Sequence, residues 1–386
     1  MNKFNKILII GAGITGITLA ERFASKGNKV LIIDKRNHIG GNCYDCKNKD
    51  GVLIHKYGPH IFHTNDKEVW QYLSKFTDWI PYEHRVLGFI DGKFVPIPFN
   101  LISLHQLLPD KADFLEKKLI KTFGYNNKIP ILELKKTKDE DFKFLANFVY
   151  KKVFLGYNLK QWGKRPEQLD SQVSNRVPVI ISYDDRYFQD RHQGIPKWGY
   201  TKMFENMLKN KNIEIKLSTD YKKIKNKENF NAIFYTGPID EFFDYKYGKL
   251  GYRCLNIKFK TLNQKEFQPA AVVNYPDLKY SYTRITEFKK LTQQKSRKTT
   301  IGIEKSGERG ILAWPLLDAK NKRIFQKYQK EAELLKRRSV YFIGRLAEYK
   351  YYNMDEAIKV GLNLFNRIIY EQQATQRKNS SCSRNI

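Results

Sequence analysis

Apolar residues recur along the chain in two periods, and the switches between them mark its elements. Ile7-Leu-Ile-Ile10 is an unbroken apolar run with three β-branched residues, which predicts a buried parallel strand. Thr18-Leu-Ala-Glu-Arg-Phe-Ala24 has helical spacing, and a second apolar run from Lys29 to Ile33 ends on Asp34. Residues 66–76 predict a short amphipathic helix. Residues 86–99 alternate about Asp91-Gly92, a hairpin signal. Residues 100–160 are Lys-rich with helical apolar spacing and predict a helical insert. Polar and aromatic residues alternate over 176–196, around Tyr183-Asp-Asp-Arg-Tyr187. A strand-then-helix pattern at 195–208 leads to strands at 213–217 and 231–238, and 252–315 predicts an antiparallel sheet. A last buried strand falls at 340–345 and a last helix at 354–369. Residues 372–386 are polar and basic and are expected to lack fixed structure. The pattern contains no internal repeat.

Between the first apolar run and the first helix stands Gly11-Ala-Gly-Ile-Thr-Gly16, a G-x-G-x-x-G turn. The first glycine permits a tight turn, the second lets a pyrophosphate approach the backbone, and the third allows close helix–strand packing. The helix start offers free N–H groups and partial positive charge to phosphates. Asp34 follows the glycines by about twenty residues, where an acid takes the ribose hydroxyls. Strand, turn, helix, strand and acid in this order predict a bound dinucleotide, FAD or NAD.

Composition narrows the class. A chain of 386 residues is long enough for two or three domains. Its 24 Tyr and 25 Phe exclude a disordered chain. No apolar run approaches the roughly 20 residues of a membrane span, and a chain that opens on a strand leaves no room for a signal peptide. Cys43, Cys46, Cys254 and Cys382 are too scattered for a disulfide framework, and Cys43-x-x-Cys46 lacks the second pair of a zinc site. The expectation is a reduced, cytoplasmic protein. The net charge of +30 is spread along the chain, as solvated lysine faces. It favours polyanionic small molecules, and no nucleic-acid signature accompanies it.

Three stretches carry further chemistry. Gly40-Gly41, just past the ribose-binding strand, lets the backbone pass close to a cofactor. Residues 51–65 hold His55, His60 and His63. His60-x-x-His63 has no third ligand at helical spacing and follows Pro59, so no metal is expected; a loop facing a flavin ring is the better reading. Gly156-Tyr-Asn-Leu-Lys-Gln-Trp-Gly163 suits a ligand wall as well as a core.

Gly11-Ala-Gly-Ile-Thr-Gly16, Arg36-Asn-His-Ile-Gly-Gly-Asn42, Tyr57-Gly-Pro-His-Ile-Phe-His-Thr64, Gly156-Tyr-x-x-Lys-Gln-Trp-Gly163, Gln193-Gly-Ile-Pro-Lys197, Tyr280-x-Tyr-Thr-Arg-Ile285 and Gly344-Arg-Leu-Ala-Glu-Tyr-Lys-Tyr-Tyr352 occur in this order up to about residue 370. Together they resemble the bacterial UDP-galactopyranose mutases. The Lys-Gln-Trp and Gly-Arg-Leu segments are the specific ones. The resemblance implies an α/β fold in which a Rossmann-like FAD-binding domain (1–78, 195–240, 335–371) is interrupted by a helical bundle (101–170) and a twisted antiparallel sheet that binds substrate (79–100, 171–194, 241–334). It also implies a homodimer. The implied reaction interconverts UDP-galactopyranose and UDP-galactofuranose for surface polysaccharide. Reduced flavin N5 displaces UDP from the sugar, a flavin–sugar adduct opens and recloses the ring, and UDP returns.

The resemblance also implies roles. Arg176 and Arg284 face the diphosphate, whose geometry suits guanidinium. Arg345 stands beside the flavin and favours its anionic reduced form, and His63 joins these three as a catalytic candidate. Cofactor contacts fall on Gly11, Gly13, Thr15, Gly16, Asp34, Lys35, Asn42, His60, Ile61, Ile215, Arg345, Tyr352, Asn353 and Met354. Substrate contacts fall on His84, Tyr157, Asn158, Trp162, Arg176, Tyr187, Asn274, Arg284, Trp314 and Tyr351. Four positions depart from the family pattern: His84 for asparagine, Asn158 for threonine, Trp314 for tyrosine and Asn353 for aspartate. They surround the sugar and diphosphate, which leaves open a related nucleotide sugar. An FAD-dependent amine-oxidase-like enzyme, which shares the N-terminal fingerprint, is the rival class. It would consume oxygen and need no prior reduction.

Overall fold

A computed structural model describes residues 4–225 and 227–382. Its centre is a five-stranded parallel sheet. The strands run in the order Ile213–Lys216, β2 (Lys29–Ile33), β1 (Lys6–Ile10), Ala232–Tyr235, Val340–Phe342. Every pair in it is parallel. Ile7, Leu8 and Ile9 are fully buried, which is why that run carries no polar residue. Helix α1 (Ile14–Ser25) covers one face: Phe23 packs on Phe234 and on Phe365 of the C-terminal helix, each with ring centroids 5.1 Å apart. Strands from three remote parts of the chain thus complete the expected Rossmann-like α/β fold.

The second sheet has seven strands, ordered Ile311–Pro315, Tyr252–Leu262, Thr299–Gly307, Arg284–Glu287, Val272–Asn274, Val86–Ile90, Lys93–Ile97. The predicted hairpin is there: Asp91 and Gly92 take φ of 48° and 80°, the left-handed pair that a two-residue turn requires. One expectation is corrected. The sheet is not wholly antiparallel, because Val272–Asn274 runs parallel to Val86–Ile90. A parallel pair needs a long crossover, and the chain between these strands supplies it.

Against the seven-stranded sheet packs the helical insert, built on Leu101–Leu107, Pro109–Phe123, Ile131–Leu134, Glu140–Val149 and Gly156–Trp162. Leu104, Leu115, Leu119, Phe142, Leu145 and Val149 form a core shared with Val86, Val95 and Val272 of that sheet. A π-helical stretch, Tyr150–Leu155, joins its last two helices. Such local widening often marks functional sites.

Three further boundaries differ from the sequence reading. Residues 171–194 do not extend the large sheet. Val179–Ile180 pairs with Lys128–Ile129, and His192–Pro196 joins Phe62–Thr64 and Trp79–Pro81 in a separate three-stranded sheet. Residues 319–334, assigned to the sheet domain, belong to helix Ala319–Lys336, which Asp318 caps by accepting the Asn321 N–H at 2.9 Å. The C-terminal helix runs Met354–Cys382, well past residue 372, because no Gly or Pro after Gly361 stops it. Residues 383–386 lie outside the described residues.

Candidate active site

The glycine turn sits at the carboxyl edge of the parallel sheet, where open α/β sheets bind ligands. Gly11 has φ of 105° and lies against Thr236, where a side chain would collide. Gly16 lies against the Gly11 carbonyl and is buried beneath the turn. Gly13 meets nothing nearer than the Gly41 Cα at 3.9 Å, so its backbone stays open to a ligand. No side chain caps α1, and its first N–H groups face the same space.

Asp34 organises this turn. One carboxylate oxygen accepts the Ala12 N–H and the other the Arg36 N–H, both at 2.8 Å. Each oxygen keeps a lone pair for a ribose hydroxyl. Asn42 accepts from Arg36 at 2.9 Å and donates to the Leu312 carbonyl at 3.0 Å, tying the Gly40-Gly41 turn to the large sheet. Lys35 pairs with Glu241 at 3.0 Å on the rim.

A cavity of about 430 Å³ runs from this turn to the large sheet. A smaller one of about 150 Å³ continues it between the helical insert and the sheet. Tyr157, Arg176, Tyr187, Asn274, Arg284, Trp314 and Tyr351 line both. Gly11, Gly13, Thr15, Asp34, Lys35, Asn42, His60, Ile61, His63, His84, Arg345, Tyr352, Asn353 and Met354 line the larger, and Asn158 and Trp162 the smaller.

Two sequence-expected site residues stand elsewhere. Gly16 is the buried packing position described above. Ile215 is exposed on the outermost strand of the parallel sheet. The turn beyond that strand, Thr219 to Lys222, lines the cavity instead. A strand's apolar run shows where it is buried, but the ligand meets its carboxyl end.

Three guanidinium groups gather where the cavities join. Arg284 Nε lies 2.6 Å from Glu304 Oε2, and the Glu304 side chain is 1 % exposed. Burial weakens the Arg284 cation, but Glu304 and Tyr157 outweigh it and hold its pKa above the ordinary value. Engaging Nε leaves the outer guanidinium nitrogens for a ligand. Arg345 and Arg176 lie over the Tyr351 ring, 4.8 and 4.4 Å from its centroid. Arg176 also donates to Asn353 Oδ1. Burial lowers the Arg345 pKa, and its Nε has no hydrogen-bond partner among the described residues.

His60, His63 and His84 line the larger cavity. His63 Nδ1 lies 2.9 Å from Asp190 Oδ2, and its ring stacks on Phe188 at 3.6 Å. The His63 contact holds the Asp190 carboxyl below its usual range. His84 is 4 % exposed, and burial pushes it down to about 3, as it does His60. The His60 N–H donates to His55 Nδ1 at 3.0 Å. Among the described residues no group of three or more His, Cys, Asp or Glu stands together to hold a metal ion.

Sequence reasoning missed Glu304, Phe188, Asp190 and the turn from Thr219 to Lys222. Glu304 faces Arg284 only through the register of two antiparallel strands. A lone acid in the apolar run Thr299 to Glu304 was the available signal.

The profile of the UDP-galactopyranose mutase family matches residues 152–351, and that of an NAD(P)-binding Rossmann-like domain matches residues 9–76. A probable UDP-galactopyranose mutase of Klebsiella pneumoniae is 36 % identical over 372 residues, 94 % of each chain. A dTDP-fucopyranose mutase of Escherichia coli is 36 % identical over 92 % of this chain and 96 % of its own. The solved structure of a reduced UDP-galactopyranose mutase superposes with a TM-score of 0.71 at 16 % identity, over 95 % of both chains. The chain is an enzyme and belongs to the UDP-galactopyranose mutase family.

Proposed function

We propose that this isomerase interconverts UDP-galactopyranose and UDP-galactofuranose, with FAD as cofactor in its reduced state. The observation that carries the reading is the cluster of Arg176, Arg284 and Arg345 at the mouth of a dinucleotide groove. The residues fit FAD: an open glycine turn and a bare helix N-terminus for the pyrophosphate, Asp34 for the ribose, and an unpartnered Arg345 Nε for the ring. Reduced FAD, when bound, supplies the nucleophilic nitrogen for the anomeric carbon. The chain supplies position and charge. Arg284 and Arg176 offset the roughly two negative charges of departing UDP. Tyr157 and Trp162 wall the nucleotide, and buried neutral His84 faces the sugar without adding charge. In this reading the protein is a cytoplasmic homodimer supplying furanose sugar for surface polysaccharide, as the family resemblance implies. No helix among the described residues is long and apolar enough to cross a membrane.

The test is product analysis by chromatography. Purified flavoprotein is given UDP-galactose, other UDP-hexoses and dTDP-hexoses, with and without dithionite. Furanose product only after reduction is the expected result. Equal turnover with oxidised flavin would overturn it, and substrate-dependent oxygen uptake would establish an oxidase.

A further inference from the structure

Lys160 shares helix Gly156–Trp162 with the cavity-lining residues Tyr157, Asn158, Gln161 and Trp162, yet lines neither cavity. Its ammonium shares three N–H groups among four backbone carbonyls within hydrogen-bond distance. They belong to Asp277 at 2.8 Å, Tyr282 at 3.0 Å, Tyr280 at 3.2 Å and Tyr275. All four lie in the connection 275–283 between strands Val272–Asn274 and Arg284–Glu287. The feet of that connection, Asn274 and Arg284, are cross-strand partners and both line the cavities.

The packing agrees with the hydrogen bonds. Gly156, one turn earlier on the helix, presses so closely on the Pro276 carbonyl that a Cβ there would collide with it. At the helix end, Arg253 donates to the carbonyls of Gln161 at 2.8 Å and Lys160 at 3.2 Å. Among the described residues no carboxylate stands within ion-pair distance of Lys160; Asp277 acts on it only from further off, its side chain accepting the Lys279 N–H at 2.9 Å. Holding a half-buried cation chiefly on carbonyl dipoles is a costly way to gain stability. What the arrangement does achieve is register between two walls of one site.

We infer that Lys160 is a positioning residue: its ammonium pins the Tyr157–Trp162 wall onto the Asn274–Arg284 turn and sets the width of the cavity that grips the nucleotide. The inference rests on the nucleotide-sugar reading above. In the family motif Lys-Gln-Trp, Lys160 thus acts on the backbone behind the site while Trp162 faces into it.

The experiment compares FAD-loaded Lys160→Met with wild type, measuring the UDP dissociation constant by calorimetry, then KM and kcat. UDP binding is expected to weaken about tenfold, the scale of one or two hydrogen bonds lost or misplaced. The loss should fall on KM, with kcat and flavin content little changed. Gly156→Ala applies the same displacement from the other side with Lys160 intact, and should weaken UDP binding similarly. It decides the matter if Lys160→Met does not fold. A folded variant of either kind that binds UDP within twofold of wild type overturns the inference, as does a lower melting temperature with an unchanged dissociation constant. Wild-type protein that binds UDP but fails to isomerise UDP-galactose sinks the proposed function and leaves the Lys160 comparison readable. Wild-type protein that ignores UDP sinks both.

Discussion

Trp162 and Trp314 face each other across the smaller cavity, with ring centroids 6.0 Å apart and planes tilted by 57°. One comes from the helical insert and the other from strand Ile311–Pro315 of the large sheet. The pair fixes the bulk of the wall where the family pattern has a tyrosine. Trp314 offers one indole N–H and no acceptor. Trp314→Tyr should keep activity and shift the preference among nucleotide sugars by about 1 kcal/mol, the worth of one neutral hydrogen bond. Steady-state kinetics on two nucleotide sugars, with melting curves alongside, checks it. Early melting with an unchanged ratio of kcat/KM values would make Trp314 a packing residue only.

Arg284 is held from behind by Glu304 and reaches forward into the cavity. Arg284→Ala should lower kcat/KM by on the order of a hundredfold, about 3 kcal/mol, because a charge-assisted contact to the departing diphosphate is lost. Flavin content should stay normal. Glu304→Gln keeps an acceptor for Arg284 Nε and loses the charge, so its loss should be smaller, about tenfold. The two variants, assayed together for rate and for flavin per protein, rank the residues. Near-wild-type activity in Arg284→Ala would remove it from the site.

Asp34 bonds two backbone N–H groups as well as offering lone pairs to a ribose. Asp34→Ala should therefore loosen the glycine turn and the cofactor together, costing about 1–3 kcal/mol of flavin affinity. Flavin absorbance per protein after dialysis reads this directly, and unchanged retention would refute the assignment.

His55 and His84 are buried, and burial pushes each down to about 3. An unfolded histidine titrates near 6.5. Below about pH 6.5 the unfolded chain takes up protons that these native imidazoles refuse. Their contribution to stability is therefore whole above that pH and is lost as pH falls toward 3. Each contributes a slope of up to about 1.4 kcal/mol per pH unit. Urea unfolding at pH 7 and pH 5 should show the decrease, and the NMR signals of His55 and His84, like that of His60, should stay unshifted down to pH 5. Equal stability at the two values would contradict the burial argument.

The part of this molecule that could be read from sequence is the part whose signals are local. β1, the glycine turn, α1, β2 and Asp34 fall within one short stretch, and each constrains the next. Asp91-Gly92 dictates its own turn. Glu304 needed a strand register to meet Arg284, and Val272–Asn274 needed a remote strand to run beside. The resemblance places Ile215 among the cofactor contacts, while the cavity meets its strand only at the turn beyond, Thr219 to Lys222, because an apolar run does not say where its strand ends. Helix Ala319–Lys336 did carry apolar positions at helical spacing, Ile324, Tyr328 and Leu335, but they stand within a lysine-rich stretch whose polar residues hide the period. Gly156 and Lys160 were visible as motif letters, while the carbonyls they meet were not, since backbone partners leave no trace in side-chain patterns.

The bond from Arg176 to Asn353 has a consequence for how a ligand arrives. In the reading proposed above, a diphosphate that claims the Arg176 nitrogen bonded to Asn353 displaces an acceptor already seated there, so that contact forms by exchange. The seat is occupied by a neutral amide where the family pattern has a carboxylate. A carboxylate would neutralise the waiting arginine and set a like charge in the path of the incoming anion. The amide keeps the guanidinium in place, leaves its charge unspent, and yields without electrostatic contest.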